Sequence, residues 1–170
     1  LRRVGPRARR SRTARPPLAR GDATRLPFAD DAFRLVMAPY GFLQSLLSDV
    51  MLGRTLREAY RVLEPGGVLG IDLVPDVPKW REYTRKVVFF SPEGPRGLPI
   101  TLRETVRQDR EKGLTSFEQE YIEGRGDSKQ VTPFTIWFRT LPLPVIARKV
   151  ERVGCAVEAV LGDYRGGPWD

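Results

Sequence analysis

Histidine is absent from the 170 residues, and cysteine occurs once, as Cys155. Without histidine no Ser–His or Cys–His pair can activate a nucleophile, and the usual zinc ligand sets lose their commonest member, so no metal site is expected. One cysteine cannot close an internal disulfide, which fits a reducing, cytoplasmic setting. No apolar run approaches the roughly 18 residues of a membrane helix, and the charged start is not followed by the apolar core of a secretory signal. Acidic residues are missing from the first twenty positions, which hold Arg2, Arg3, Arg7, Arg9, Arg10, Arg12, Arg15 and Arg20. Removing those eight from the 29 basic residues leaves 21 against 21 acidic ones, so the net charge of +8 sits in an arm and the body is neutral. A nucleic-acid enzyme more often carries its basic stripe on the folded surface. The pattern therefore weighs against nucleic acid as the main partner. Residues 1–17 read as a disordered basic arm, with loose phosphate binding as the alternative.

What remains is ordinary globular material. The hydrophobic fraction is 41%, and a chain near 150 residues hides about 70% of its unfolded surface, enough for one real core. Leu18–Ala23 reads as a short strand ending in a loop. Ala32–Ala38, largely apolar and bounded by Asp30-Asp31 and Pro39-Tyr40-Gly41, reads as a buried parallel strand. Ser48 and Asp49 open a helix whose buried face is Leu56, Ala59, Tyr60 and Leu63, with Arg54 and Arg61 flanking Glu58 on the wet side. Pro65 stops that helix, Gly66-Gly67 turns the chain, and Val68–Val74 forms the next strand. Strand, helix, strand in this order implies a right-handed parallel crossover.

After Val74 the character changes. Prolines punctuate a loop-rich stretch with a short helix expected around Lys79–Arg85. Three alternating segments follow. Leu98, Ile100, Leu102 and Val106 share one face, with Arg103 and Arg107 on the other. Phe117 and Tyr121 mark a second strand, and Phe134, Ile136 and Phe138 a third. This predicts a small antiparallel sheet over 98–140. Pro144 opens a last helix with a stripe of Leu143, Ile146, Ala147, Val150 and Val153, and Gly154 ends it. Ala156–Leu161 reads as a final strand. There is no internal repeat. The fold class is α/β.

In open parallel sheets, ligands bind beyond the C-terminal strand ends. Three such ends are visible: Gly21-Asp22-Ala23, Ala38–Phe42 and Asp72–Val74. The Asp22 carboxylate and the Ala23 amide make an acceptor–donor pair suited to an adenine edge. Tyr40-Gly41-Phe42 places aromatics at a tight turn where a ligand can pack. A turn or cap role for Asp22 stands beside this reading.

The run GDATRLPFADDAFRLV followed by LREAYRVLEPGGVLGID resembles the middle of class I S-adenosylmethionine-dependent methyltransferases of the small-molecule type. The pairing of D-A-x-x-L-P-F with R-V-L-x-P-G-G at this spacing carries the resemblance over residues 18–74. Over 98–170 it is weaker. It implies a partial Rossmann-like methyltransferase sheet with an antiparallel insertion or lid at 98–140, and S-adenosyl-L-methionine as cofactor. By resemblance, Asp22 meets the adenine amino group and Ala23 adjoins it. Tyr40, Gly41 and Phe42 lie against the methionine part, and Pro65-Gly66-Gly67 is a structural turn. The family's D-x-G-x-G-x-G-like loop and its ribose-binding acid are not found before Asp22. At about 30 residues per βαβ unit, roughly 60 residues of the fold are missing, as is a last antiparallel strand after Asp170. The chain is thus expected to be a truncated portion of the enzyme.

The implied reaction is methyl transfer to a small-molecule acceptor by in-line displacement, in which the protein supplies proximity. An amine acceptor needs no base. For a hydroxyl the candidates are Tyr40, Tyr83, Tyr121, Asp163 and Tyr164, and no catalytic residue is singled out. Arg81, Arg103 and Arg107 read as carboxylate binders or as a solvated face, and Cys155 as core. The alternatives are a non-catalytic remnant or pseudoenzyme, and an interaction module working through the basic arm. The acceptor, the methylated atom and the oligomeric state are open.

Overall fold

The computed structural model describes residues 17–74, 81–94 and 96–169. The basic arm, apart from Pro17, lies outside them. The first strand, β1, is Phe33–Ala38, and a 3₁₀ turn follows at Phe42–Ser45. Helix α1 is Asp49–Val62, and β2 is Leu63–Ile71. Ser48 caps α1 as its composition demands: the hydroxyl accepts from the Val50 N–H at 3.2 Å, and Asp49 sits at the positive end of the helix dipole. The buried stripe is Leu52, Thr55, Leu56, Ala59 and Val62. Tyr60, expected inside, is 48% exposed. Its ring lies over Gly154 instead, where a Cβ would stand 2.9 Å from Tyr60 Cζ.

Strands β1 and β2 pair in parallel, from Leu35↔Val68 to Ala38↔Ile71. Below them the register jumps, because Phe33 already faces Leu63 and Pro65-Gly66-Gly67 bulges out between. Gly66 takes a φ of +79°, and a Cβ on Gly67 would meet the Glu64 carbonyl oxygen at 2.9 Å. Both glycines are therefore dictated by the backbone. The helix ends at Val62, and β2 begins at once, ahead of the expected Val68.

The two sequence motifs interlock. Arg61 donates to the Leu26 and Phe28 carbonyls, to Asp30 at 2.7 Å and to Glu58, while Glu58 accepts from the Leu26 N–H at 2.7 Å. The L-P-F segment is thus tied to the C-terminal end of α1 by one guanidinium–carboxylate pair. Phe28 packs edge-on against Phe33 with ring centroids 5.0 Å apart.

The second sheet has four antiparallel strands where three were expected: β3 (Tyr83–Ser91), β4 (Ile100–Asp109), β5 (Leu114–Glu123) and β6 (Gln130–Arg139), in that spatial order. The short helix expected at Lys79–Arg85 is not formed over the described residues 81–85, where the chain is irregular and then enters β3. Strand β3 escaped the alternation test because Val87, Val88, Phe89 and Phe90 are apolar in succession, and all four are exposed. Helix α2 is Leu143–Glu151, with proline in its first turn and Gly154 at a φ of +104° just past its end.

Two strand expectations are corrected. Leu18–Ala23 is extended chain running into a turn, in which the Arg25 N–H donates to the Asp22 carbonyl at 2.9 Å. Ala156–Leu161 forms no strand; Val157 and Leu161 are exposed, and Leu161 bridges only to Pro168. In both places no strand among the described residues pairs with the segment beyond an isolated bridge, and an apolar run without a ladder stays irregular.

The core lies on one face of the β1–β2 pair. Ala38, Leu43, Leu46, Leu52 and Leu56 pack with Leu141, Ile146 and Val150 of the α2 region. On the other face Leu35, Met37 and Val68 are about half exposed. Strand β1 is therefore half-covered rather than buried.

Candidate functional site

The C-terminal ends of β1 and β2 stay joined beyond the strands. The Asp72 N–H donates to the Ala38 carbonyl, and the Gly41 N–H donates to the Asp72 carbonyl. The Asp72 carboxylate accepts from the Tyr40 N–H at 3.0 Å and from the Tyr164 hydroxyl at 2.6 Å. That bond to Asp72 raises the Tyr164 phenol above its ordinary pKa. Tyr40 and Gly41 both adopt positive φ, 55° and 66°. The turn closes tightly: a Cβ on Gly41 would stand 2.9 Å from Val74 Cγ2, 3.0 Å from Gln44 Oε1 and 3.4 Å from Phe138 Cε1. Gly41 is buried, while the Tyr40 ring is 85% exposed and Phe42 partly so. Both rings are available to a ligand on the outer side of the turn.

Asp22 is the head of an Asx-type turn. Its Oδ1 accepts from the Thr24 N–H at 2.8 Å and from the Thr24 hydroxyl at 2.9 Å, and the backbone bond chiefly holds its carboxyl below the usual range. The turn role thus exists. It uses one carboxylate oxygen, Oδ1, and Oδ2 and the Ala23 N–H have no hydrogen-bond partner among the described residues. A carboxylate acceptor and a backbone donor on consecutive residues are the types of group an adenine edge needs, so the chemistry of the donor set fits the expected group. No hydrogen bond or ion pair among the described residues links Asp22 or Ala23 to Tyr40, Gly41 or Phe42.

Behind the Gly41 turn lies a cavity of about 300 Å³. Gln44 and Val74 form its floor, and the inner faces of β4, β5 and β6 form its roof, with Phe117, Ile136 and Phe138 as apolar walls. Gln44 stitches floor to roof. Its Oε1 accepts from the Val74 N–H at 2.7 Å, and its Nε2 donates to the Val74 and Arg139 carbonyls. Gln44 is 4% exposed and fully engaged.

Two charged residues reach this cavity, and sequence reasoning had singled out neither. Glu104 occupies an inward position of β4, in phase with Leu102 and Val106, and is 7% exposed. Its carboxylate accepts from the Tyr83 hydroxyl at 2.5 Å and from Gln119, its cross-strand partner. Burial and the Glu104 bond push the Tyr83 phenol up to about 12. The signal was available: a carboxylate on the apolar phase of an alternating strand must have a partner or a use. Arg139 ends β6. Its Nη1 donates to Asp49 at 2.7 Å, and Lys149 holds the other Asp49 oxygen at 3.0 Å. These two bonds, Arg139 first, keep the Asp49 carboxyl below its ordinary pKa.

The other residues proposed from sequence are otherwise engaged. Arg103 pairs with Glu120 and Arg107 with Glu118 across β4 and β5, and Arg81 is exposed. Tyr121 stacks on Phe134, and Asp163 accepts from the Arg165 and Gly167 N–H groups to close a turn. Cys155 is partly buried beside the core, and burial raises its thiol. Among the described residues no group of acidic or cysteine side chains could hold a metal, and no helix is long and apolar enough to cross a membrane.

Known proteins share both the sequence and the arrangement. Residues 1–67 match the family described as "Methyltransferase domain". A demethylmenaquinone methyltransferase from Listeria welshimeri is 42% identical over 67 residues, which is 38% of this chain and 27% of that protein. Among solved structures, an S-adenosylmethionine-dependent methyltransferase from Clostridium acetobutylicum superposes with a TM-score of 0.71 at 13% identity, over 92% of this chain and 60% of that one. A sugar N-methyltransferase from Streptoalloteichus sp. gives 0.68 at 17% identity, over 86% and 58%. The chain thus spans about three fifths of the solved relatives' length, and its matched stretch about a quarter of the curated one's. The first two fifths of the chain thus match a methyltransferase domain in sequence, and the chain as a whole has the fold of S-adenosylmethionine-dependent methyltransferases of known structure.

Proposed function

We propose that this chain takes part in methyl transfer from S-adenosyl-L-methionine to a small-molecule acceptor, with the acceptor in the cavity between the Gly41 turn and the antiparallel sheet. The observation that carries this reading is adjacency. Gly41, in the turn expected to meet the cofactor, sits so close to the cavity that a Cβ added there would stand 3.0 Å from Gln44 Oε1 and 3.4 Å from Phe138 Cε1, and both of those residues line it. A methyl group delivered at the turn would enter the cavity directly.

Asp22 and Ala23 would hold the adenine edge, and Tyr40, Gly41 and Phe42 the methionine side. The cofactor supplies an activated methyl on a sulfonium. The chain's own residues align the acceptor and keep water out of an apolar-walled space. Glu104, fixed by Tyr83 and Gln119, accepts a hydrogen bond from an amine or hydroxyl on the acceptor and so orients it. The 170 residues contain no D-x-G-x-G-x-G-like run. We therefore assign this chain the adenine and acceptor sides of the site, and weak cofactor binding when it acts by itself.

Equilibrium binding of labelled S-adenosylmethionine tests the reading. Saturable binding that falls about tenfold in Asp22→Ala is expected, the loss of one or two hydrogen bonds to a bound group. Binding indifferent to Asp22→Ala, or none at all, would favour the non-catalytic alternative.

A further inference from the structure

Glu104 is a carboxylate on the cavity face of the antiparallel sheet, and no cation among the described residues pairs with it. Directly opposed residues of antiparallel strands share a face. Glu104 opposes Gln119, and two residues along, Val106 opposes Phe117, which opposes Ile136 of β6. Glu104 therefore stands on the same side of the sheet as Phe117, Gln119 and Ile136, and all four line the 300 Å³ cavity. It is 7% exposed. Its two donors, the Tyr83 hydroxyl and the Gln119 amide, are both neutral. They occupy one lone pair on each oxygen and leave the other.

The neighbouring basic groups are turned to other work. Lys86 opposes Glu104 in the β3–β4 register, but its ammonium lies over the Tyr83 ring, 5.2 Å from the centroid. Arg103, next in sequence, pairs with Glu120 on the opposite face. Arg139 and Lys149 share Asp49. A buried carboxylate met only by neutral donors is costly, and a cation placed beside it offsets that cost.

We propose that Glu104 seats the ammonium group of the small molecule that occupies this cavity. The ligand class is an alkylamine on an apolar or aromatic body, with the body along Phe117, Ile136 and Phe138. The ammonium donates to the remaining lone pairs of Glu104, and its charge balances the carboxylate. An alcohol of the same shape brings one hydrogen bond and no charge, so the cavity discriminates between the two. That this amine is the methyl acceptor rests on the function proposed above; the ammonium seat does not. Glu104 would then be the residue that selects nitrogen over oxygen in the acceptor.

Calorimetric titration of the 170-residue chain with benzylamine, a cation at neutral pH as alkylamines are, and with benzyl alcohol as its neutral isostere tests the seat. Benzylamine should bind saturably, and roughly tenfold or more tightly than the alcohol. Glu104→Gln keeps the shape and an acceptor oxygen but removes the charge, so it should abolish that preference. Equal binding of the two probes to wild type, or an unchanged preference in Glu104→Gln, overturns the proposal. If Glu104→Gln does not fold, the Gln119 side-chain amide resonances in ¹⁵N-labelled wild-type protein decide: they should move on adding benzylamine, and stationary signals overturn the proposal. Absence of S-adenosylmethionine binding with the benzylamine preference intact would sink the methyl-transfer reading and leave the seat standing. Cofactor binding without that preference would do the reverse.

Discussion

The two sheets are built on opposite economies. The β1–β2 pair has only two strands and relies on what covers it: Leu43, Leu52, Leu56 and Ile146 are each 3% exposed or less, and they press on one face. The β3–β6 sheet has four strands and relies on its own ladder and cross-strand pairs: Arg103–Glu120, Arg107–Glu118, Tyr121 on Phe134, and Phe117 against Phe138. A two-stranded sheet cannot stand alone in water, whereas four strands with one apolar face nearly can. The lesson is where each layer is vulnerable: the first through its helices, the second through its few inward polar groups. The functional site falls at the seam, where Gln44, Gly41 and Arg139 touch both layers.

The largest break in this comparison comes from the first layer. Leu52 is 0% exposed, and Leu52→Ala should cost about 3 kcal/mol. Val106→Ala, at a 2% exposed site of β4, should cost about 2 kcal/mol. Urea unfolding would be followed by helix ellipticity, which reports α1 and α2, and by the fluorescence of Trp137 in β6 with Trp80 and Trp169 changed to phenylalanine. Because Arg139 is bonded to Asp49 and Gln44 to the Arg139 carbonyl, both probes should shift together in both variants. A Trp137 transition that ignores Leu52→Ala would show two independent layers.

The seam comes next. Gly41→Ala forces a side chain into a φ of +66° and into Val74 Cγ2 at 2.9 Å. A strained left-handed residue costs of order 1–3 kcal/mol, and displacing Gln44 should also loosen the floor of the cavity. The thermal midpoint should fall, and S-adenosylmethionine affinity with it. A midpoint change without any affinity change would detach the turn from the cofactor side of the site.

How much of this could be read from the chain alone follows the same division. The β1–α1–β2 unit was legible because its signals are local: Ser48 before Asp49, the helical spacing of Leu56 and Ala59, Pro65-Gly66-Gly67 after the helix. The alternating phases of β4, β5 and β6 were legible too. Strand β3 was not, since Val87 to Phe90 are apolar on both faces of an exposed strand, and period 2 carries no information there. Tyr60 followed helical spacing but found a glycine to lie on outside the core. Asp22 and Tyr40 are named from motif position alone. Glu104 was readable in principle, as a carboxylate on the apolar phase of β4, whereas the contact of Gln44 with the Arg139 carbonyl was not, because it joins segments 95 residues apart.

Acid and base should loosen the two layers separately. Arg61 holds the Glu58 carboxyl at about 2, below its ordinary 4.5. A depressed carboxyl contributes stability that is present above 4.5 and lost as pH falls toward 2. The midpoint gap between wild type and Glu58→Gln should therefore close across that window, with the L-P-F loop of the first layer released. Tyr83 titrates at about 12, above its ordinary 10.0. The neutral phenol's contribution is present below 10.0 and lost as pH rises toward 12, so Tyr83→Phe should flatten the alkaline limb of the stability curve. The tyrosinate absorbance of wild type should show one late-ionising residue that is absent in the variant.

The smallest effect is expected where the second sheet looks best braced. Arg103 and Glu120 meet at 2.6 Å, but both side chains keep access to solvent, 24% and 34% exposed. A charge pair in that position gains little, because water screens the attraction and two long side chains must be held in one geometry. A double-mutant cycle of Arg103→Ala and Glu120→Ala should give a coupling of about 0.5 kcal/mol, shrinking in 1 M salt. The ladder pairing Arg103↔Glu120 itself runs through the backbone and is untouched by either change. If the coupling instead exceeds about 2 kcal/mol, the cross-strand charges brace the antiparallel layer as strongly as buried leucines brace the parallel one. The contrast between a packed layer and a laddered one would then have to be redrawn around charge.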